Sequence, residues 1–513
     1  MVGGRGGRPH TCLSLESVIA RIPWKSFVPM ITIVGLGPGS VNDLSLRAWN
    51  KLRDTETLHL RTSQHPCVDA ISANCNCVSF DDIYERYERF DEVYAEIAAR
   101  IMRIAREDGE VVYAVPGDPL IGEASVTRII ELARAESIPV EIINGISFVE
   151  PCLSLLGIDA LDGLQVLDAL TIADAYHPPI NPALPALLAQ VYSKSVASNL
   201  KLTLMNQYDD EFPVKLIHAA GADFATVEDL KLYEIDRSPR INVMTSLYLP
   251  PMDEANSFET LQNIIAHLRS PEGCPWDREQ SHQSLRPFLI EEAQEVLEAL
   301  DADDPQALCE ELGDLLLQIL LHTQIAIDEG EFKMIHLLRH LNEKMIRRHP
   351  HVFGDVETTG DLAQLSRIWH EVKRSEKARD GAPEESLLDG IPKGAPALFV
   401  AHKYSQRAAK AGFDWDDMAG IEDKFKEELA EVLSAASDAE RVKEIGDLIF
   451  VLVNWLRWLG VDDPESLLRE INAKFYRRFR HVELRAAQAG KPIAAFSLDA
   501  LDVWWQEAKR LTD

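Results

Sequence analysis

An acidic pattern that occurs twice in this 513-residue chain limits what its second half can fold into. In IEEAQEVLEALDADDPQALCEELGDLLLQIL, Glu291, Glu292 and Glu295 share one side of a first helix, and Glu311 and Asp314 stand three apart on a second. The pattern returns as Glu427, Glu428 and Glu431, then Glu444 and Asp447, in FKEELAEVLSAASDAERVKEIGDLIFVLV. Like charges at helical spacing repel by about 0.2–0.5 kcal/mol per pair, and the apolar residues of the same helices turn the region inward. A cation would relieve the crowding. Two glutamates at i, i+3 on one helix, with a Glu and an Asp at i, i+3 on its neighbour, can converge four carboxylates across a helix pair. Such an all-oxygen set suits Mg2+, with Mn2+ as a substitute, and no His or Cys is spaced among the acids as zinc would require. A solvated helix face explains a single charge run well and a duplicated one poorly.

The duplication extends downstream. Asn342-x-Lys344 with Arg347-Arg348, then Trp369, is matched by Asn472-x-Lys474 with Arg477-Arg478, then Trp505. Lys344 and Arg348 are four apart on a helical face, as are Lys474 and Arg478, so each pair can offer two cations to a polyphosphate. Trp369 and Trp505 can stack on a base or simply pack. From Glu254 onward amphipathic helical patterns dominate, so two all-α domains are expected at 254–380 and 397–513, joined by a Gly- and Pro-rich linker at 381–396.

The first 29 residues lack a continuous apolar segment and are expected to be a disordered extension. Residues 30–250 read as α/β. Strands at 30–34, 110–115 and 140–143 each run into a turn: Gly35-Leu36-Gly37-Pro38-Gly39, Pro116-Gly117-Asp118-Pro119 and Asn144-Gly145-Ile146-Ser147. Three such turns before helices describe the carboxyl-edge crevice of an α/β sheet. Further strands at 165–170, 201–206 and 230–235 would build a second lobe. The balance of 52 basic against 83 acidic residues gives a formal charge of −31, which opposes non-specific binding to nucleic acid or an anionic membrane. A polyanionic substrate therefore needs a local basic pocket or a metal. No apolar run reaches the roughly 18 residues of a spanning helix, and seven scattered cysteines read as reduced thiols, so the cytoplasm is the expected location.

GLGPG, PGDP and NGIS together resemble the tetrapyrrole (corrin/porphyrin) methylases over about residues 30–249. The resemblance implies two α/β lobes with S-adenosylmethionine between them. Gly35, Gly37, Pro38 and Gly39 would shape the substrate-facing crevice, and Gly117, Asp118 and Pro119 would hold the cofactor with Ser147 nearby. Ala114-Val115-Pro116 stands where many such methylases have a glycine-rich lead-in.

Both E-E-x-x-E…E-x-x-D sets, together with Gly273-Cys274-Pro275-Trp276-Asp277 and Arg347-Arg348-His349-Pro350-His351-Val352-Phe353, resemble the MazG family of nucleoside triphosphate pyrophosphohydrolases over about 256–509. That resemblance implies all-α repeats, a homodimer, and hydrolysis of a nucleoside triphosphate to the monophosphate and pyrophosphate. Glu428, Glu431, Glu444 and Asp447 match the metal ligands, and Lys474, Arg478 and Trp505, with Asn472 beside them, match substrate contacts. By the internal duplication, Glu292, Glu295, Glu311 and Asp314 form the other metal set, and Lys344, Arg348 and Trp369 the other substrate set. Glu291 and Glu427, first in each motif, are candidates to orient or deprotonate the attacking water. One departure is Glu440, where the family often has a lysine. Two alternatives remain: a methyltransferase whose helical half regulates and dimerises it, and a nucleotide sensor without turnover.

Overall fold

The computed structural model describes residues 29–512 except 74, 88, 380–385 and 393. The expected N-terminal extension and the first part of the expected linker lie outside the described residues. The chain forms two compact units, one ending at Leu268 and one running from Arg269 to Asp513.

The first unit holds two five-stranded sheets. Strands β1 (Met30–Gly35), β2 (Thr57–Leu60), β3 (Asn76–Ser79), β4 (Glu110–Val115) and β5 (Val140–Ile143) pair in the order β3-β2-β4-β1-β5, all parallel. A parallel sheet is covered on both faces, which is why β4 buries every residue from Val111 to Val115 and β1 buries Ile31, Ile33 and Val34. With β1 and β4 paired at the centre, the GLGPG and PGDP turns emerge side by side at the carboxyl edge. Strands β6 (Gln165–Asp168), β7 (Ala186–Ala189), β8 (Pro213–His218), β9 (Thr226–Lys231) and β10 (Thr245–Leu249) form the second sheet, ordered β6-β7-β10-β8-β9. Only β6 and β7 run parallel there.

Three strand expectations need correction. Residues 201–206 are not a strand but the end of the helix Lys194–Leu204 and the turn after it. Ser193 caps that helix by accepting the Val196 amide at 3.2 Å, and Ala197, Leu200 and Leu204 bury one face at helical spacing. The short KLTLM run mimics alternation only when read without its upstream half. At 230–235 the strand stops at Lys231, and Leu232–Arg237 is a 3-10 turn. At 165–170 it stops at Asp168, whose carboxylate accepts the Leu170 amide at 2.9 Å and starts the helix Ala169–Ala173.

The second unit is helical. Its main elements are α1 (Arg286–Asp301), α2 (Pro305–Asp328), α3 (Met334–Arg348), α4 (Leu362–Arg379), α5 (Ala397–Lys410), α6 (Met418–Ser434), α7 (Asp438–Trp458), α8 (Pro464–Gln488) and α9 (Leu498–Thr512). Three residues separate α1 from α2 and three separate α6 from α7, so each pair folds back on itself as an αα-hairpin. Asp304 caps α2 ahead of Pro305, accepting the Gln306 and Ala307 amides at 3.0 and 3.2 Å, and Ser437 caps α7. Among the described residues no helix is long and apolar enough to cross a membrane.

Candidate functional site

The hairpins bring the predicted acids together. In the first copy one carboxylate oxygen each from Glu292, Glu311 and Asp314 lie within 4.8 Å of one another, and Glu428, Glu444 and Asp447 do the same in the second. Glu295 and Glu431 lie outside these trios yet close enough to be felt. Partial burial, then Asp314 and Glu295, hold the Glu292 carboxyl above the usual range; burial, then Glu295 and Asp314, do so for Glu311. Glu444 is raised by burial, then by Glu431 and Asp447. Each cluster is therefore crowded with charge. Gln318, one turn beyond Asp314, donates Nε2 to Glu292 at 3.5 Å, while its buried Oε1 has no partner among the described residues. Clustered acceptors with no protein donor for that oxygen fit a hard cation bound through oxygen.

The clusters differ in one neighbour. Lys424 Nζ lies 2.9 Å from Glu427 and 2.9 Å from Glu428, the buried member of the second trio, whereas Phe288 occupies the matching place four residues before Glu292. Glu291 is exposed and outside the first trio, and Glu427 is exposed and tied to Lys424. The i−4 spacing of Lys424 to Glu428 is legible in the sequence.

The basic helices meet their tryptophans. The Arg348 guanidinium stands 5.6 Å from the centre of the Trp369 ring, and Trp505 packs on Phe475 at 5.1 Å. Arg348 is also gripped by Glu376, with Nε and Nη2 donating at 3.1 and 2.7 Å, and Arg347 donates to the same carboxylate at 2.6 Å. These bonds, Arg348 first, pull the Glu376 carboxyl down to about 2. Lys344 lines a concavity of about 420 Å3 with Phe332, His336 and His340. On α8, Asn472 is exposed and Lys474 and Arg478 are half-buried. Among the described residues no ion pair joins Lys344, Arg348 or Lys474 to either acid trio.

A feature that sequence reasoning missed lies beside the second trio. Asp447, Phe450 and Asn454 follow one face of α7 at i, i+3 and i+7, and Phe450 and Asn454 line a cavity of about 520 Å3 with Tyr404, Phe413, Asp414 and Trp415. Arg457 fixes its polar corner, donating to Asn454 Oδ1 at 2.8 Å and to Asp414 Oδ1 at 2.7 Å. Four aromatic side chains with a carboxylate and an amide suit a flat, hydrogen-bonding ring system.

In the first unit the three predicted turns hold one another. Gly37 and Gly117 exchange backbone hydrogen bonds at 3.2 and 2.8 Å, both with positive φ. A Cβ on Gly145 would lie 2.3 Å from the Gly117 carbonyl oxygen, and one on Gly35 2.6 Å from it. Asp118 is buried, accepts the Leu120 amide, and ties to the third turn by accepting Asn144 Nδ2 at 3.0 Å and the Gly145 amide at 3.2 Å. Pro119 is buried beside it. Pro38 and Gly39 pack against Gly221 of the second lobe. Ser147 is buried with its hydroxyl donating to Glu150 at 2.5 Å and accepting the Val149 amide, so that group is spent on the turn into the helix Val149–Leu156. Nearby, burial pushes the Glu123 carboxyl up to about 7 against the pull of Arg61 at 3.0 Å.

The family profile for tetrapyrrole (corrin/porphyrin) methylases matches residues 30–236, that for the MazG nucleotide pyrophosphohydrolase domain matches 280–353, and that for phosphoribosyl-ATP pyrophosphohydrolase matches 403–475. The uncharacterized protein YabN of Bacillus subtilis is 41% identical over 488 residues, 93% of this chain and 98% of YabN. The nucleoside triphosphate pyrophosphohydrolase/pyrophosphatase MazG of Thermotoga maritima is 43% identical over 252 residues, 49% of this chain and 95% of that protein. The nucleoside triphosphate pyrophosphohydrolase of Escherichia coli K12 is 39% identical over 261 residues, 50% of this chain and 98% of that protein. With full-length similarity to YabN and near-complete coverage of two MazG proteins by its helical half, the chain belongs to the MazG family, in a form that carries a tetrapyrrole-methylase-type domain ahead of its helical repeats.

Proposed function

We propose that the helical half hydrolyses a nucleoside triphosphate to the monophosphate and pyrophosphate, and that the second copy carries the selective turnover. The observation behind this is the placement, on one face of α7, of Asp447 in a carboxylate trio and of Phe450 and Asn454 in an aromatic cavity. A divalent cation of the Mg2+ class, held by Glu428, Glu444 and Asp447 with Glu431 alongside, supplies charge neutralisation of the triphosphate and a more acidic water. The first copy offers Glu292, Glu311 and Asp314 with Glu295.

The cavity takes the base between aromatic walls, with Asp414 and Asn454 reading its polar edge. Lys474 and Arg478 offer two cations to the phosphates, with Trp505 and Asn472 beside them. Water attacks the α-phosphorus, the bond to the bridging oxygen breaks, and pyrophosphate leaves with that oxygen. Glu427, exposed at the edge of the cluster, takes the proton from the water, and Glu291 is its counterpart in the first copy.

The test is pyrophosphate release by the whole chain over a panel of ribo- and deoxynucleoside triphosphates. Turnover of the preferred substrate should fall at least about a hundredfold in Glu444→Gln with Asp447→Asn. Parent-level turnover in that double variant would overturn the reading.

The first unit, on this reading, binds S-adenosylmethionine at the clasped turns. Calorimetry should detect binding in the parent and its loss in Asp118→Ala. A homodimer is supported by α8, where Leu468, Ile471, Phe475 and Phe479 stand exposed along one stripe. The net charge and the unpaired described cysteines favour a cytoplasmic role without a nucleic-acid or membrane partner.

A further inference from the structure

Away from the carboxylate clusters, α2 ends in an arrangement that calls for a cation. Its last turn carries no basic residue. Gly330 takes φ +76°, and the Glu331 amide donates to the Ala326 carbonyl at 2.8 Å, the six-to-one bond of a Schellman turn. That turn places Glu329 and Glu331 at the negative end of a 24-residue helix, where positive charge is favoured. Asp328 in the same turn is answered by Arg269 at 2.8 Å. Among the described residues neither Glu329 nor Glu331 pairs with a lysine or arginine.

What faces them is His282. One ligand atom each from His282, Glu329 and Glu331 lie within 4.8 Å of one another, with His282 Nε2 3.7 Å from Glu331 Oε2. The other ring nitrogen lies 2.8 Å from Nδ1 of His322, whose ring stacks on that of His282 at 5.1 Å. Two nitrogens that close share one proton. When His282 donates it, the Nε2 lone pair faces two carboxylates, which is repulsive until a cation sits among them. A metal-ligating imidazole is held in this way, with its second N–H tied to a neighbour. A tetrahedral zinc-class ion with bonds of about 2.0–2.2 Å sets its ligand atoms roughly 3.4 Å apart, close to the 3.7 Å between His282 Nε2 and Glu331 Oε2.

We propose that His282, Glu329 and Glu331 form a transition-metal site distinct from the carboxylate clusters, taking a zinc-class divalent ion with His322 as the orienting partner. The imidazole selects a borderline metal over Mg2+, which prefers all-oxygen sets. His322 is eight residues beyond Asp314 on α2, about 12 Å along the axis, so the two sites load independently. The ion ties the loop before α1 to the end of α2 and so clamps the hairpin that carries Glu292 and Asp314. In the second copy Val451 and Trp455 replace Gln318 and His322, and Trp455 packs on Phe425 at 5.3 Å, so the clamp belongs to the first copy.

The full chain, stripped with chelator and held in excess Mg2+, is titrated with Co2+ and then Zn2+. One Co2+ per chain should bind with the visible absorption of a four- or five-coordinate ion and be displaced by Zn2+. Glu311→Gln with Asp314→Asn should keep that absorption. His282→Ala and Glu331→Gln should each weaken Co2+ binding at least tenfold, and His322→Phe about tenfold. Glu331 has a half-exposed side chain, so Glu331→Gln carries the test if His282→Ala fails to fold. A parent that takes no Co2+ under Mg2+, or absorption unchanged in Glu331→Gln, overturns the proposal.

Discussion

Lys424 gives the second carboxylate cluster a counter-charge that Phe288 denies the first. The Glu292 and Glu311 carboxyls are held high, so the folded chain binds protons there more tightly than the unfolded chain. Without a cation, stability contributed at this cluster is therefore greatest at low pH and declines as pH rises from the ordinary carboxylate value through the raised one. Thermal melts between pH 4 and 7 should show that decline in chelator and its removal by Mg2+. Glu376 works in the opposite sense. Its depressed carboxyl keeps Arg347 and Arg348 engaged at any pH well above about 2, so the arginine proposed to meet phosphate in the first copy is already occupied. Glu376→Gln should tighten nucleotide binding by the first copy several-fold, measured by calorimetry in a chain carrying Glu444→Gln and Asp447→Asn.

At the scale of elements, much of the helical half was legible because a helix writes its own period into the sequence. Glu292 and Glu295, or Glu311 and Asp314, are neighbours as soon as the helix forms, and a short hairpin loop does the rest. The strands at 110–115 and 140–143 were legible for a related reason, being apolar runs that stop at glycine turns. Residues 201–206 were not, because six residues cannot show which period they belong to. His282 with Glu331, Arg348 with Glu376, and Asp414 with Arg457 are set by how helices pack, and no local pattern encodes them. The stripe on α8 belongs to this scale as well. Phe475→Glu places a charge at the centre of that stripe and should convert a dimer to a monomer in light scattering, with the helix content of the chain unchanged by circular dichroism.

For the whole molecule, the two copies share their acids, basic helices and tryptophans and differ in the residues that contact them. The first has the Glu376 grip, Phe288 and the His282 cluster; the second has Lys424 and the aromatic cavity. Replacing Glu311 and Asp314 should therefore leave most of the turnover of the preferred nucleotide, whereas replacing Glu444 and Asp447 should remove it, in side-by-side pyrophosphate assays on the intact chain. The first unit is built on a different logic. Gly35, Gly117 and Gly145 meet backbone to backbone, so a side chain acquired by Gly35 or Gly145 would run into the backbone of the other two, while Gly117 holds a φ of +65° that a side chain would strain. The three turns are therefore one mechanical part: its shape is set by absent side chains, and a change at one turn is a change to all three.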